Sequence, residues 1–393
     1  MAEAPPATPF GAAFRKAHFA FGPHYTPLNH GSYGMSPVPV RRVHEALRAE
    51  VDAEPDPFIA LDYHDRLVPQ REVAARALNC TDVDKVVLVP NATTGADTVL
   101  KNLRWEKGDV ILCYELVYCS LEKGLAWLEE SQGVDVHIVR LAWPVADDEI
   151  VRAIVDAARQ INSEPGRRVR LAIIDTIVSM PGIRIPFEML VPALQTERAL
   201  VFVDGAHGIG HIDKHRHLIR TTLPTSYRFR PRNTRGQSNA EADSKAFVSM
   251  FDFTASDDTT AWLCVQAAFD FRSKVCGGET LITTYSKNVG QQSAAAAAEI
   301  LSTSVMDCPG SCLQDCAFAN VRLPLELHSE VSDWFKVTGV RESGMCFQTI
   351  IYRGAWWWRI SGMIYVEVED FRKGAEVLKG LCERVRNGEH VKG

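Results

Sequence analysis

Short, continuous apolar runs alternate with longer amphipathic stretches through the first half of the chain. The runs are Asp109-Val-Ile-Leu-Cys113, Val134-Asp-Val-His-Ile-Val139, Val169-Arg-Leu-Ala-Ile-Ile-Asp175 and Ala199-Leu-Val-Phe-Val-Asp204. Brief apolar runs bounded by polar turns predict buried strands. Between them, Leu116 to Trp127 and Asp147 to Ile161 carry apolar residues at helical spacing. Strand and helix alternating in this way predict parallel βαβ units, and so a doubly wound sheet or one close to it.

The flanks follow the same logic. Pro37 to Glu54, with Val40, Val43, Leu47 and Val51 on one face, predicts a helix, and Leu61 to Leu78 predicts another. Lys85-Val-Val-Leu-Val-Pro90 reads as a short buried strand leading through Asn91-Ala-Thr-Thr-Gly-Ala-Asp97 into a helix from Thr98. Further on, Val265 to Cys276 and Gly290 to Ser304 are helical by periodicity. Val321 to Leu325, Gln348 to Tyr352 and Trp356 to Ser361 predict a small antiparallel sheet, closed by a helix from Asp370 to Arg386. Neighbours in a strand face opposite ways, so the three tryptophans 356 to 358 report packing more than a ligand site. The expected organisation is an N-terminal arm (1–35), extended over its first 27 residues, a large α/β domain (36–265) and a smaller C-terminal α+β domain (266–393).

Composition narrows the class of function. Lys and Arg number 43 against 49 Asp and Glu, a net charge of −6 with no basic block, so nucleic acid is not an expected partner. No membrane segment or leader is evident, and ten cysteines lie scattered without the short spacings of a disulfide framework. Reduced thiols and a cytoplasmic enzyme are the expectation. Cys308, Cys312 and Cys316 do not have the spacing of zinc knuckles. His207, His211, His215 and His217 could share a metal on a helix, but Gly208 and Gly210 argue against a helix there, and no metal is expected.

The candidate chemistry gathers at one edge of the sheet. A strand, then threonines, then a helix start makes an anion site, because free backbone N–H groups and the positive helix end face one point. Thr93 and Thr94 therefore either grip a phosphate or simply cap the helix. Tyr118 follows the strand at 109–113 and can stack on a planar ring. Asp175 and Asp204 end successive parallel strands on the same edge, where open α/β sheets bind ligands. Together these describe a site for pyridoxal 5′-phosphate, with Asp204 paired to the pyridinium nitrogen. His30, in the turn Leu28-Asn-His-Gly-Ser-Tyr-Gly34, is either catalytic or a hydrogen-bonded turn residue. Arg359 lies in a strand so apolar that it requires an anionic partner.

The motifs Leu28-Asn-His-Gly-Ser-Tyr-Gly34, Asn91-Ala-Thr-Thr-Gly95, Leu116-Val-Tyr118, Asp175-Thr-Ile-Val-Ser179, Val203-Asp-Gly-Ala-His207 and Trp358-Arg-Ile-Ser361 resemble those of the class V aminotransferase family of fold-type I enzymes. Within that family they are most similar to the isopenicillin N epimerase-like branch, which includes C–S lyases. The resemblance implies a PLP-dependent transferase-like fold and a homodimer acting at Cα or Cβ of an amino acid. The reaction could be epimerisation, C–S cleavage or transamination. It further implies that Thr93 and Thr94 bind the phosphate, Tyr118 stacks and Asp204 meets the ring nitrogen. His207 would lie beside the ring oxygen or phosphate, and Arg359 would clamp the substrate carboxylate. Ser256, in Ala255-Ser256, stands where the family places a Gly-Thr pair that reaches the partner subunit's phosphate.

The resemblance breaks at the family's lysine, which bonds to the cofactor aldehyde and moves the Cα proton. In the family that lysine follows the aspartate by a crossover and a further strand, spans of at least about 10 and about 5 residues. Here Lys214 comes too soon after Asp204, and Lys245 lies in a polar insertion after Arg228. The expected explanation is an internal truncation near residues 212–216 that removes two strands and the lysine. A non-catalytic relative that binds the cofactor without a covalent link, or serves as a dimeric binding protein, is the alternative from a different class.

Overall fold

The computed structural model describes residues 5–209, 258–326 and 331–391. Its central sheet is parallel, built from β1 (Asp109–Tyr114), β2 (Asp135–Val139), β3 (Arg168–Asp175) and an edge strand, with β1 and β3 buried almost throughout. After β3 comes a two-residue hairpin, β4 (Ile177–Val178) and β5 (Ile183–Arg184), and then the edge strand β6 (Leu200–Asp204). The order is β2-β1-β3-β6, every pairing parallel, with Asp175 in register with Asp204. Helices cover both faces. On one, Ile150, Ile154 and Ala158 of helix Asp147–Ser163 pack on Val110, Leu112 and Ile174. On the other, Ala96 and Leu100 of helix Ala92–Asn102 and Leu121 and Leu125 of helix Cys119–Gln132 meet Ile111, Cys113 and Ile173. The doubly wound expectation for these strands therefore holds.

The smaller sheet is antiparallel, ordered β7 (Phe318–Arg322), β9 (Ala355–Ser361), β8 (Thr349–Tyr352), with Asn320 opposite Arg359. Helices Glu279–Leu301 and Val368–Arg386 pack on it, the latter opened by a capping box between Glu367 and Asp370. Trp356 and Trp358 are wholly buried in this core, whereas Trp357 faces the other way and packs on the large-sheet cluster. Residues 12–18 form a helix instead of extended chain, and Phe14 inserts into the same core as Phe371 and Ile360.

Two apolar segments lack the neighbours their sequence calls for. Residues 86–90, expected as a strand, follow a 3₁₀ turn at Val83–Lys85 and join no ladder among the described residues. β6 has β3 on one side and no strand on the other among the described residues. Its Leu-Val-Phe-Val run is nowhere fully buried, and Leu200 is 44 % exposed. An apolar edge of this kind invites pairing with another strand.

Candidate functional site

β3 and β6 deliver two carboxylates side by side. Asp175 is fully buried, and the Tyr114 hydroxyl at the end of β1 donates to its Oδ2 at 2.5 Å while accepting from the Asp175 amide at 3.1 Å. Burial, and the negative charge of Asp204 beside it, push the Asp175 carboxyl up to about 8, so it is mostly protonated at neutral pH. Tyr114, which no local pattern singles out, thereby shares a buried pair with Asp175. Asp204 is less enclosed: its Oδ1 accepts from the Ala206 amide at 2.9 Å, and Oδ2 has no protein donor among the described residues. The two strand ends are tied by Thr176, whose amide donates to the Asp204 carbonyl at 2.9 Å.

Beyond Asp204, the turn closes with the Gly208 amide donating to the Gly205 carbonyl and presents His207. The His207 ring stands edge-on to Phe318, centroids 5.2 Å apart. Arg359 lies over another part of that ring, its guanidinium carbon 4.6 Å from the centroid. Arg359 is 1 % exposed, yet the expected carboxylate partner is absent among the described residues. Nη1 donates to the Ser179 carbonyl at 2.7 Å, and Nη2 donates to Asn29 Oδ1 and Ser32 Oγ, both at 2.9 Å. Nε is buried with no partner among the described residues. Burial lowers Arg359 to about 10, which leaves it charged at neutral pH and surrounded by neutral acceptors. A buried cation so placed is incomplete without an anion.

Backbone fit fixes the clamp. A side chain at Gly182 would stand 2.8 Å from Arg359 Cδ and from Phe318, and one at Gly31 would stand 2.8 Å from Arg359 Nη2. Buried Asn320 of β7 holds Gly182 from both sides, accepting from its amide at 3.1 Å and donating to its carbonyl at 2.9 Å. His30 in the N-terminal turn bonds through Nδ1 to the Tyr365 hydroxyl. Burial, helped by nearby guanidinium groups, takes both His30 and His207 down to about 4, so both imidazoles are neutral at pH 7.

The phosphate end differs in detail from expectation. Helix Ala92–Asn102 begins before Thr98, and its cap is Asn91, whose Oδ1 accepts from the Thr94 amide at 2.8 Å. Thr93 and Thr94 therefore lie in the first turn and are not the cap. Their hydroxyls and the amides of Ala92 and Thr93 make no hydrogen bond among the described residues. Tyr118 is the N-cap residue of helix Cys119–Gln132 and is 40 % exposed. Ser256, Lys214, Lys245, His211, His215 and His217 lie outside the described residues. None of the lysines among the described residues is buried, and half-buried Lys287 is paired with Asp315.

Among known proteins, residues 61–216 match the family described as aminotransferase class-V. The chain is 30 % identical to the L-cysteine desulfhydrase-like protein lolT1 of Epichloe uncinata, covering 97 % of this chain and 98 % of that one. It is 24 % identical to the hercynylcysteine sulfoxide lyase of Schizosaccharomyces pombe, over 93 % of this chain and 97 % of that one. The alignment with the first runs over 447 positions, more than the 393 residues present here, so that relative carries residues without a counterpart in this chain. Among solved structures, a cystine C–S lyase in complex with its product cysteine persulfide shares the fold, with a TM-score of 0.72 at 16 % identity over 91 % of this chain and 97 % of that one.

Proposed function

Because the chain belongs to the class V aminotransferase family, we propose that it is a pyridoxal 5′-phosphate-dependent protein that acts at Cα or Cβ of an amino acid, with cleavage of a C–S bond as its chemistry. The observation that carries the reading is Arg359, a buried guanidinium that among the described residues has an unpartnered Nε and only neutral acceptors, near the strand end that presents Asp204. The choice of C–S cleavage is supported by the named activities of the relatives, L-cysteine desulfhydrase-like and sulfoxide lyase.

The residues present fit the cofactor's ring and phosphate. Asp204 offers a free carboxylate oxygen for a pyridinium nitrogen, and protonated Asp175 leaves it as the single anion of the pair. The first turn of helix Ala92–Asn102 offers unpaired amides and the Thr93 and Thr94 hydroxyls to a phosphate. Tyr118, at the start of the next helix, is accessible for ring contact, and Ser256 would serve the partner's phosphate. When bound, the cofactor withdraws electrons from the substrate Cα. Arg359 orients the substrate carboxylate, and neutral His207 can accept a proton at its ring nitrogen. The Asn29–Ser32 turn closes the carboxylate end of the site.

The covalent lysine is a separate matter. The family match ends at residue 216, among the described residues 86–90 join no ladder and β6 has a strand on one side only, and the relative's alignment is longer than this chain. These observations support an internal truncation near residues 212–216 that removes two strands, and the lysine with them. Incubation with cofactor and L-cysteine, with sulfide measured, tests the activity. Borohydride reduction and peptide mass spectrometry test the link: a pyridoxyl group on Lys214 or Lys245 would refute the truncation.

Exposed Tyr33, Val43, Ile59 and Leu61 on the N-terminal elements support assembly as a homodimer, which light scattering after size exclusion would check. No helix among the described residues is long and apolar enough to cross a membrane, and all ten cysteines are free, which supports a reducing, cytoplasmic setting.

A further inference from the structure

One half-buried group beside the clamp, His30, has a vacant donor among the described residues. The only hydrogen bond of the Tyr365 hydroxyl among the described residues is with His30 Nδ1, the two rings meeting at 70° with centroids 5.4 Å apart. Tyr365 is 1 % exposed, and burial raises its phenol far above the ordinary value, so it keeps its proton. By donating that proton to Nδ1 it satisfies both groups. Accepting from an Nδ1–H would instead leave a buried hydroxyl hydrogen with nowhere to go. The tautomer is thereby fixed: the His30 proton sits on Nε2, which makes no hydrogen bond among the described residues.

The ring is also fixed in place relative to Arg359. A side chain at Gly34 would stand 2.9 Å from His30 Cε1, and Asn29 and Ser32 of the same turn accept from Arg359 Nη2 at 2.9 Å. The cation of Arg359 contributes to holding His30 neutral, so the Nε2–H is a donor near Arg359 that brings no second positive charge.

We propose that His30, its tautomer set by Tyr365, is a specificity-determining residue whose Nε2–H binds a hydrogen-bond acceptor on the side chain of an amino acid whose carboxylate lies on Arg359. This rests on the amino-acid site proposed above and names the class of ligand it prefers: side chains ending in an oxo or anionic acceptor over plain thioethers and alkyls. A site built to donate a hydrogen bond discriminates against a ligand that cannot accept it.

Calorimetric titration of the purified protein with L-methionine sulfoxide and L-methionine, which differ by one acceptor oxygen, tests this. The sulfoxide is expected to bind about tenfold more tightly. In His30→Phe the ratio falls to about one as the preference for the sulfoxide is lost. Tyr365→Phe, which frees the tautomer, lowers the ratio several-fold and serves if His30→Phe does not fold. Long-range nitrogen–proton spectra of the wild type at pH 7 should show His30 protonated at Nε2. Protonation at Nδ1, equal weakening of both ligands in His30→Phe, or methionine binding without discrimination in the wild type would each overturn the proposal alone. Binding of neither amino acid would overturn it together with the amino-acid site.

Discussion

Replacing Asp175 with asparagine removes an ionisable group from the buried edge of the sheet while keeping an acceptor for the Tyr114 hydroxyl 2.5 Å away. Burial and the neighbouring Asp204 raise Asp175 to about 8, against about 3.9 in an unfolded chain. Between those values the folded protein holds a proton that the unfolded chain releases. Stability from this group is therefore fully present below about pH 3.9, falls as pH rises, and is gone above about pH 8. The loss is about 1.4 kcal/mol per pH unit, so wild type forfeits about 3 kcal/mol between pH 5 and pH 7 that Asp175→Asn does not. Urea denaturation of both proteins at pH 5, 6 and 7 reads this directly: the stability advantage of the variant should widen by about that amount. An advantage constant across the series would mean that Asp175 is ionised in the folded protein. The single-anion description of the Asp175 and Asp204 pair would then fail.

Other consequences follow the same physics. Arg359→Ala should weaken amino-acid binding by about 10- to 100-fold, read by calorimetry, because charge-assisted hydrogen bonds to the carboxylate are lost. His207 is held neutral by burial, at about 4 against about 6.5 unfolded. Acidification from pH 6.5 to 4 should thus destabilise wild type by about 3 kcal/mol more than His207→Gln, measured by denaturant midpoints. Leu200→Lys, at an edge position 44 % exposed, should reduce light scattering on heating while shifting stability by less than about 0.5 kcal/mol.

How far the sequence reveals this site follows from what each feature depends on. Strand ends are local: the apolar runs closing in Asp175 and Asp204 mark the carboxyl edge, and both aspartates lie there in register. Arg359 is legible because a charge inside an apolar strand demands explanation. Residues 86–90 show the limit, since an apolar run specifies burial but a strand also needs a ladder partner, which no local pattern supplies. The helix cap fell to Asn91 in place of the threonines because its side chain reaches the Thr94 amide at 2.8 Å. Tyr114, Ser179, Asn320 and Tyr365 acquire their roles only through contacts distant in sequence, such as the 335 residues separating His30 from Tyr365. A tyrosine between Ile364 and Val366 carries no signal that its hydroxyl meets a histidine.

The claim on which the rest depends is that Asp204 receives the pyridine ring of pyridoxal 5′-phosphate. Spectroscopic titration of purified wild type and Asp204→Ala with the cofactor tests it most directly. We expect saturable binding of one cofactor per chain in the wild type and affinity at least about tenfold weaker in the variant, the loss of one charge-assisted hydrogen bond. Equal affinity in the two proteins, or no saturable binding by the wild type, would contradict it.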